Sequence, residues 1–228
     1  MDPLETTRRL AAELFPTAIW VLLSGSVLTS ARTAGSDLDI VVLLPDGTPG
    51  APRRESLEYD GWPVELFVHD SASLPHYLAK DLPGRRPALH RMVALGTPIV
   101  GDPSEHQAAA LAALEAGPPA LAQPELDSLR YALTDLLDDL THAPADEQAV
   151  IATYTWLRTA ETMLHVRNHW VGNGKWLLRE LRDLDPAYAD RWLASRTITA
   201  AIRALADEVL TLAGGPLFAG YQAAGERG

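Results

Sequence analysis

Apolar positions follow two different patterns along the chain. Up to about residue 103 they gather in short runs of strand length, separated by turn residues. A helical period over Pro3 to Leu14 is stopped by Pro16. Thr17–Leu23 is a continuous apolar run ending at Ser24-Gly25-Ser26, and Leu38–Leu44 is a second, ended by Pro45-Asp46-Gly47. Glu55–Tyr59 and Trp62–Val68 flank Asp60-Gly61, a pair that readily takes the positive φ angles of a type I′ turn, so a hairpin is expected. Helices are expected over 72–81 and 86–95, with a short strand over Thr97–Val100.

From residue 104 the chain is Ala/Leu-rich and helical in period. Helices are expected near 104–116, 125–141, 145–171, 174–184, 187–195 and 197–213. Breaks fall at Gly117-Pro118-Pro119, Pro144, Gly172-Asn173-Gly174 and Pro186. Gly101-Asp102-Pro103 reads as the boundary, and the tail after Gly214 reads as frayed. The expectation is an α+β chain: a mixed α/β module over 1–103 followed by an α-helical bundle over 104–228.

Composition narrows the class. The 228 residues are 47% hydrophobic and 21% charged, as in ordinary globular domains. The absence of cysteine excludes disulfides, zinc–thiolate sites and a thiol nucleophile. Acidic Asp2 and Glu5 stand where a secretory signal carries positive charge, and the run from Ala18 to Leu23 is too short to span a membrane. A cytoplasmic protein with no membrane partner is therefore expected. A net charge of −11 argues against a broad nucleic-acid-binding face and favours a cationic small molecule.

The chemistry concentrates in Ser24-Gly25-Ser26 and, ten residues later, Asp37-Leu38-Asp39-Ile40. Glycine at a strand end lets backbone N–H groups approach a phosphate, and Ser26 adds a hydroxyl donor. A short helix starting over Val27 to Ser30 would turn its N-terminal dipole toward the same anion. Asp37 and Asp39, one residue apart on an extended run, project to one face. Two carboxylates so placed repel unless a cation neutralises them, which suits Mg²⁺ held between them and substrate phosphates. Glu65, flanked by Val64 and Leu66, joins them if its strand neighbours Leu38–Leu44.

In order and spacing, Gly25-Ser26, Asp37-Leu38-Asp39-Ile40 and Val64-Glu65-Leu66 resemble the nucleotidyltransferase superfamily that shares the DNA polymerase β palm. Gly35-Ser36 before Asp37 resembles the Gly-Ser-Asp-x-Asp form of its small bacterial branches. The resemblance implies a palm fold and metal-dependent transfer of a nucleoside monophosphate, AMP from ATP or another nucleoside triphosphate, with release of pyrophosphate. It implies that Gly25 and Ser26 bind the β/γ-phosphates and that Asp37 and Asp39 ligate two Mg²⁺ ions. Glu65 is then either a general base or a third ligand, and Arg32 and Ser36 are further phosphate contacts.

The helical half resembles the substrate-binding domain of antibiotic nucleotidyltransferases, which implies a small hydroxylated acceptor such as an aminoglycoside and a role in antibiotic resistance. Lys175 begins a helix, against the macrodipole, so a nearby anion would explain it as a nucleotide contact. An antitoxin-type adenylyltransferase acting on a partner protein is the alternative, and a non-catalytic nucleotide-binding module is another. Arg158 and His165 resemble the spacing of HEPN ribonucleases, but helix geometry alone returns such a pair to one face. His69 with Asp70 reads as a strand-end cap or surface pair. His165 and His169 read as one helix face without a third metal ligand, and Trp156, Trp170, Trp176 and Trp192 as bundle core, with one or two free to line a substrate cleft. Asp135, Asp138 and Asp139 read as a solvated face.

Overall fold

Helix α1 (Pro3–Leu14) starts where the sequence places it. Pro3 sits in the first turn, where its missing N–H costs nothing, and the Asp2 carboxylate accepts from Leu4 N at 3.3 Å. In the computed structural model, which describes residues 2–225, the chain that follows builds a five-stranded sheet. Its strands are β1 (Trp20–Ser24), β2 (Leu38–Leu44), β3 (Arg53–Tyr59), β4 (Trp62–Asp70) and β5 (Thr97–Val100). They lie in the order β3-β4-β2-β1-β5, with β2 antiparallel to β1 but parallel to β4. The hairpin turn is as expected: Asp60 and Gly61 have φ of 49° and 76°, and Tyr59 pairs with Trp62 across it.

Both faces of the central strands are covered, which is why β1 and β2 read as continuous apolar runs. Ile40, Val42, Val64, Leu66 and Val68 pack against Leu10, Ala11 and Phe15 on one side. On the other, Trp20, Leu22, Val41 and Leu43 meet Leu74 of α2 (Ser73–Asp81), Leu89 and Val93 of α3 (Ala88–Leu95), and Ala110 of α4 (Ser104–Ala116). Each Val, Leu, Ile and Phe side chain among them contributes about 1.5–3 kcal/mol by leaving water. The polar strand β3 takes the edge, with Arg54, Glu55, Ser56 and Glu58 exposed, as a solvated sheet edge favours. Arg9 pairs with Asp60, and Tyr59 Oη donates to Glu13 at 2.8 Å, so α1 also holds the hairpin.

The chain divides into two compact units between Gly117 and Pro118, after α4 and not before it. Helix α4 docks on the first unit through Ala110 and through Gln107, whose Nε2 donates to Val93 O (3.2 Å) and Gly96 O (2.8 Å). Gly101-Asp102-Pro103 merely turns the chain from β5 into it.

The second unit is helical: α5 (Gln123–His142), α6 (Ala145–Val166), α7 (Lys175–Leu184), α8 (Pro186–Ser195) and α9 (Thr199–Leu212). Its core gathers Leu133, Met163, Leu164, Leu181, Tyr188, Leu205 and Val209. Trp156 and Trp192 stack at 4.0 Å, and each indole N–H donates to the other residue's carbonyl at 2.8 Å. The two rings clasp α6 to α8. Trp170 is buried as expected, whereas Trp176 is 39% exposed beneath Arg179 and is not core. Helix α6 stops at Val166, short of residue 171, because Asn168 takes a φ of 49°. His169 thus leaves the helix that carries His165, and its Nε2 lies 3.3 Å from Glu180. Arg158 lies against Glu161 at 2.8 Å.

Of the tail expected to fray after Gly214, residues 214–221 are anchored, and residues 226–228 lie outside the described residues. Arg130 donates to the carbonyls of Gly214 and Gly215, Leu217 N donates to Thr134 Oγ1, and Tyr221 stacks on Tyr131 at 4.2 Å. Glycines with φ of 100° and 94° make the sharp turn that points those carbonyls inward. Among the described residues no helix is long and apolar enough to cross a membrane.

Asp70 is a cap, as expected: its carboxylate accepts from Ser73 N at 2.8 Å. His69 is not at the surface but 6% exposed against Tyr77, and His90 of α3 is 3% exposed. Nδ1 of each ring is buried with no hydrogen-bond partner among the described residues. Burial holds both imidazoles below their ordinary pKa, against a weaker opposing pull from Asp70 on His69 and from Asp81 on His90. The unfolded chain therefore binds these protons more readily than the folded one. Their stabilising contribution is full above roughly pH 6.5 and is lost as pH falls through and below it, by at most about 1.4 kcal/mol per pH unit per group. Hydrogen exchange in β4 and α3, corrected for intrinsic rates, should show protection falling between about pH 8 and about pH 5.5. His69→Gln with His90→Gln should flatten that slope, and an unchanged slope would contradict the assignment.

Candidate functional site

Cross-strand register sets one row of side chains on one sheet face. Ser24 of β1 pairs with Asp39 of β2, Asp39 with Glu65 of β4, and Glu65 with Ser56 of β3. Directly opposed residues share a face, so the row runs across four strands. Asp37 lies just before β2 and returns to the same face by the two-residue period. One carboxylate oxygen from each of Asp37, Asp39 and Glu65 lies within 4.8 Å of the others, and all three residues are half-buried.

Three carboxylates at that spacing repel by roughly 1 kcal/mol per pair in water, and by about 3.5 kcal/mol at an effective dielectric of ~20. All-oxygen donors of this kind suit a hard divalent cation such as Mg²⁺ or Mn²⁺. The metal-binding set expected from the sequence is therefore brought together.

Gly25 closes the site from the β1 side with φ 89° and ψ −173°. A Cβ added to Gly25 would run into the Asp39 carboxylate. The two motif halves are thus interlocked: the turn is glycine because the aspartate occupies the volume a side chain would need. Ser24, buried, fixes the strand end by donating from Oγ to Met92 O at 2.5 Å.

The turn after Gly25 differs from expectation. No sustained helix follows; residues Ser26–Leu28 form a single 3₁₀ turn, and Thr29 is already extended. Three residues align too few peptide dipoles for a helix-terminus field, so any anion here relies on local N–H groups and hydroxyls.

Ser26 and Ser36 share a hydrogen bond at 3.0 Å between their hydroxyls, and Ser36 Oγ accepts from Thr33 N at 2.9 Å. Ser36 is buried, so it braces the loop joining the two motif halves. Arg32, on the same loop, lays its guanidinium over the Trp62 ring at 5.2 Å. Lys175 opens α7 in the second unit, behind Gly174, and is exposed.

Arg54 was missed by sequence reading. Its Nη2 donates to Glu65 Oε2 at 2.7 Å, and its guanidinium lies 4.9 Å from the centre of the Phe67 ring. Counting back from the Asp60-Gly61 turn would have found it. That register sets Ser56 opposite Glu65 and Arg54 opposite Phe67, on the same face.

Gly25→Ala should cost roughly 1–3 kcal/mol of stability, because it forces both a φ that disfavours a side chain and a clash with Asp39. It should also weaken Mn²⁺ binding. Gly35→Ala is the control, since a Cβ there meets nothing within 4 Å. Denaturant titration and Mn²⁺ binding check both, and equal behaviour of the two variants would refute the interlock.

No family model matches the chain, and no curated protein sequence matches it. Among solved structures it is similar to a nucleotidyltransferase-like protein from Exiguobacterium sibiricum 255-15. The two are 14% identical with a TM-score of 0.45, over 93% of this chain and 75% of that one. So low an identity transfers no side-chain role.

Proposed function

We propose that this chain is a metal-dependent nucleotidyltransferase that moves a nucleoside monophosphate, AMP from ATP in the first instance, onto a hydroxyl of a small acceptor. An aminoglycoside-like polycation is the acceptor class suggested by the net charge of −11 and by the helical second half. The observation that carries the reading is the convergence of Asp37, Asp39 and Glu65 on the sheet face bordered by the Gly25 turn.

In this reading Asp37, Asp39 and Glu65 hold the divalent cations, which when bound neutralise phosphate charge and orient an in-line displacement. Gly25 keeps the strand end bare, so that the triphosphate can approach the backbone. Ser26 offers a hydroxyl to a phosphate oxygen while Ser36 holds it in place. The acceptor oxygen bonds to the α-phosphorus as the bond to the β-phosphate oxygen breaks, and pyrophosphate leaves. The hydroxyl proton passes to Glu65 if that carboxylate is the base, or to solvent if Glu65 is only a ligand.

The test is incubation of the chain with α-labelled ATP, Mg²⁺ and a panel of aminoglycosides, reading labelled acceptor and pyrophosphate. Transfer to at least one member is expected, and Asp39→Asn should lower it by about a thousandfold or more with the fold retained by circular dichroism. Absence of ATP binding and of pyrophosphate release with every acceptor would refute the proposal. Label appearing on a co-expressed protein instead would shift the acceptor from a small molecule to a polypeptide.

A further inference from the structure

Two consecutive arginines on the edge strand β3 behave differently. Arg53 stays near its own strand, with Nε 3.1 Å from Glu55 and Nη1 donating to Gly50 O at 3.1 Å. Arg54 faces the opposite side and reaches across to Glu65 on β4. Edge-strand charge that only discourages sheet-to-sheet pairing needs no such partner, and Arg53 already serves that purpose.

The Arg54–Glu65 pair also contributes little to folding. Arg54 is 64% exposed, and solvated ion pairs are worth well below what a buried pair can be. What the pair changes is the charge at the carboxylate cluster. With Arg54 in place, the Glu65 charge is offset by the chain itself, and one of its two carboxylate oxygens accepts a guanidinium N–H. Phe67 supports the same guanidinium from beneath while it is bonded to Glu65, and this ring contact does not itself require the glutamate.

We propose that Arg54 is an internal counter-cation for Glu65, paired with it until a divalent cation takes its place and leaves the guanidinium on Phe67 alone. The proposal rests on the metal-binding reading of Asp37, Asp39 and Glu65. Arg54 is on this account a positioning residue: it competes with cations for Glu65 and so sets the affinity of the cluster for them. A structural role would make its removal weaken metal binding, whereas competition makes its removal strengthen it. The two roles differ in sign.

The experiment is Mn²⁺ titration of the full chain, read by the paramagnetic resonance of free ion, for wild type, Arg54→Ala, Arg54→Lys and Asp39→Asn, with folding checked by circular dichroism. Arg54→Ala should bind Mn²⁺ roughly two- to fivefold more tightly than wild type, the range set by exposed ion pairs. Arg54→Lys, which keeps the charge without the planar fork, should fall between them. Asp39→Asn should lose binding. If Arg54→Ala binds no more tightly than wild type while Asp39→Asn loses binding, the counter-cation proposal falls and the metal reading stands. A Lys variant outside the interval between wild type and Ala also counts against competition by charge. If neither wild type nor Arg54→Ala binds Mn²⁺, the metal reading fails and the proposal with it.

Discussion

The parallel pairing of β2 with β4 is the constraint on which the site depends. It sets Asp39 directly opposite Glu65, although the two are far apart in sequence. To reach it, the chain leaves β2, runs out to the sheet edge as β3, and returns through the Asp60-Gly61 turn to insert β4 between them. The arrangement is favoured by where water is excluded. Strand β4 carries Val64, Leu66 and Val68 toward α1, and so gains by lying inside the sheet, whereas β3 has little apolar surface to hide. A slip of one residue in this register would send Glu65 to the α1 face and Leu66 toward the carboxylates, exchanging a buried leucine for a buried charge.

Holding three carboxylates together has an electrostatic cost that the packing of the first unit absorbs. The apolar layers on either side of the sheet hold the strands that carry the carboxylates, and Gly25 leaves free the volume that Asp39 occupies. Ser24 ties the end of β1 to α3, and the Ser26–Ser36 contact ties the turn after Gly25 to the start of β2. These are short, local restraints around a charged centre. They make the site a property of the sheet end, with Arg54 paired to Glu65 beside it.

The second unit is organised by a different means. Its helices meet through the Trp156–Trp192 clasp and a leucine-rich core, and its C-terminal segment is held by Arg130 and Tyr131 of α5. Buried threonines on α6 return their hydroxyls to the preceding turn, as Thr155 does to Ile151 O and Thr159 to Thr155 O, so they add no unpaired polar group to the core.

The sequence by itself determined the elements whose cause is local. Hydrophobic period, prolines and Asp-Gly were enough for α1, β2, the β3/β4 hairpin and the order of the helices, because those signals act within a few residues. The Gly25-Ser26 and Asp37/Asp39 pattern was legible for the same reason. What lay beyond it depended on partners distant in the chain. Helix α6 was read too long because no Gly or Pro marks its end; Asn168 takes the left-handed turn instead. Residues 214–221 carry no local sign of order because their anchors, Arg130, Tyr131 and Thr134, lie on another helix. The surface-pair reading of His69 fails because a strand-end histidine carries no mark of the helix packed over it. Tertiary structure alone decided that Glu65 stands beside Asp39, that Gly25 exists to make room for that aspartate, and that Arg54 neutralises the glutamate. Each of these is a relation between strands, and strand order is set by which apolar faces are buried together, a sum over the whole sheet that no single segment carries.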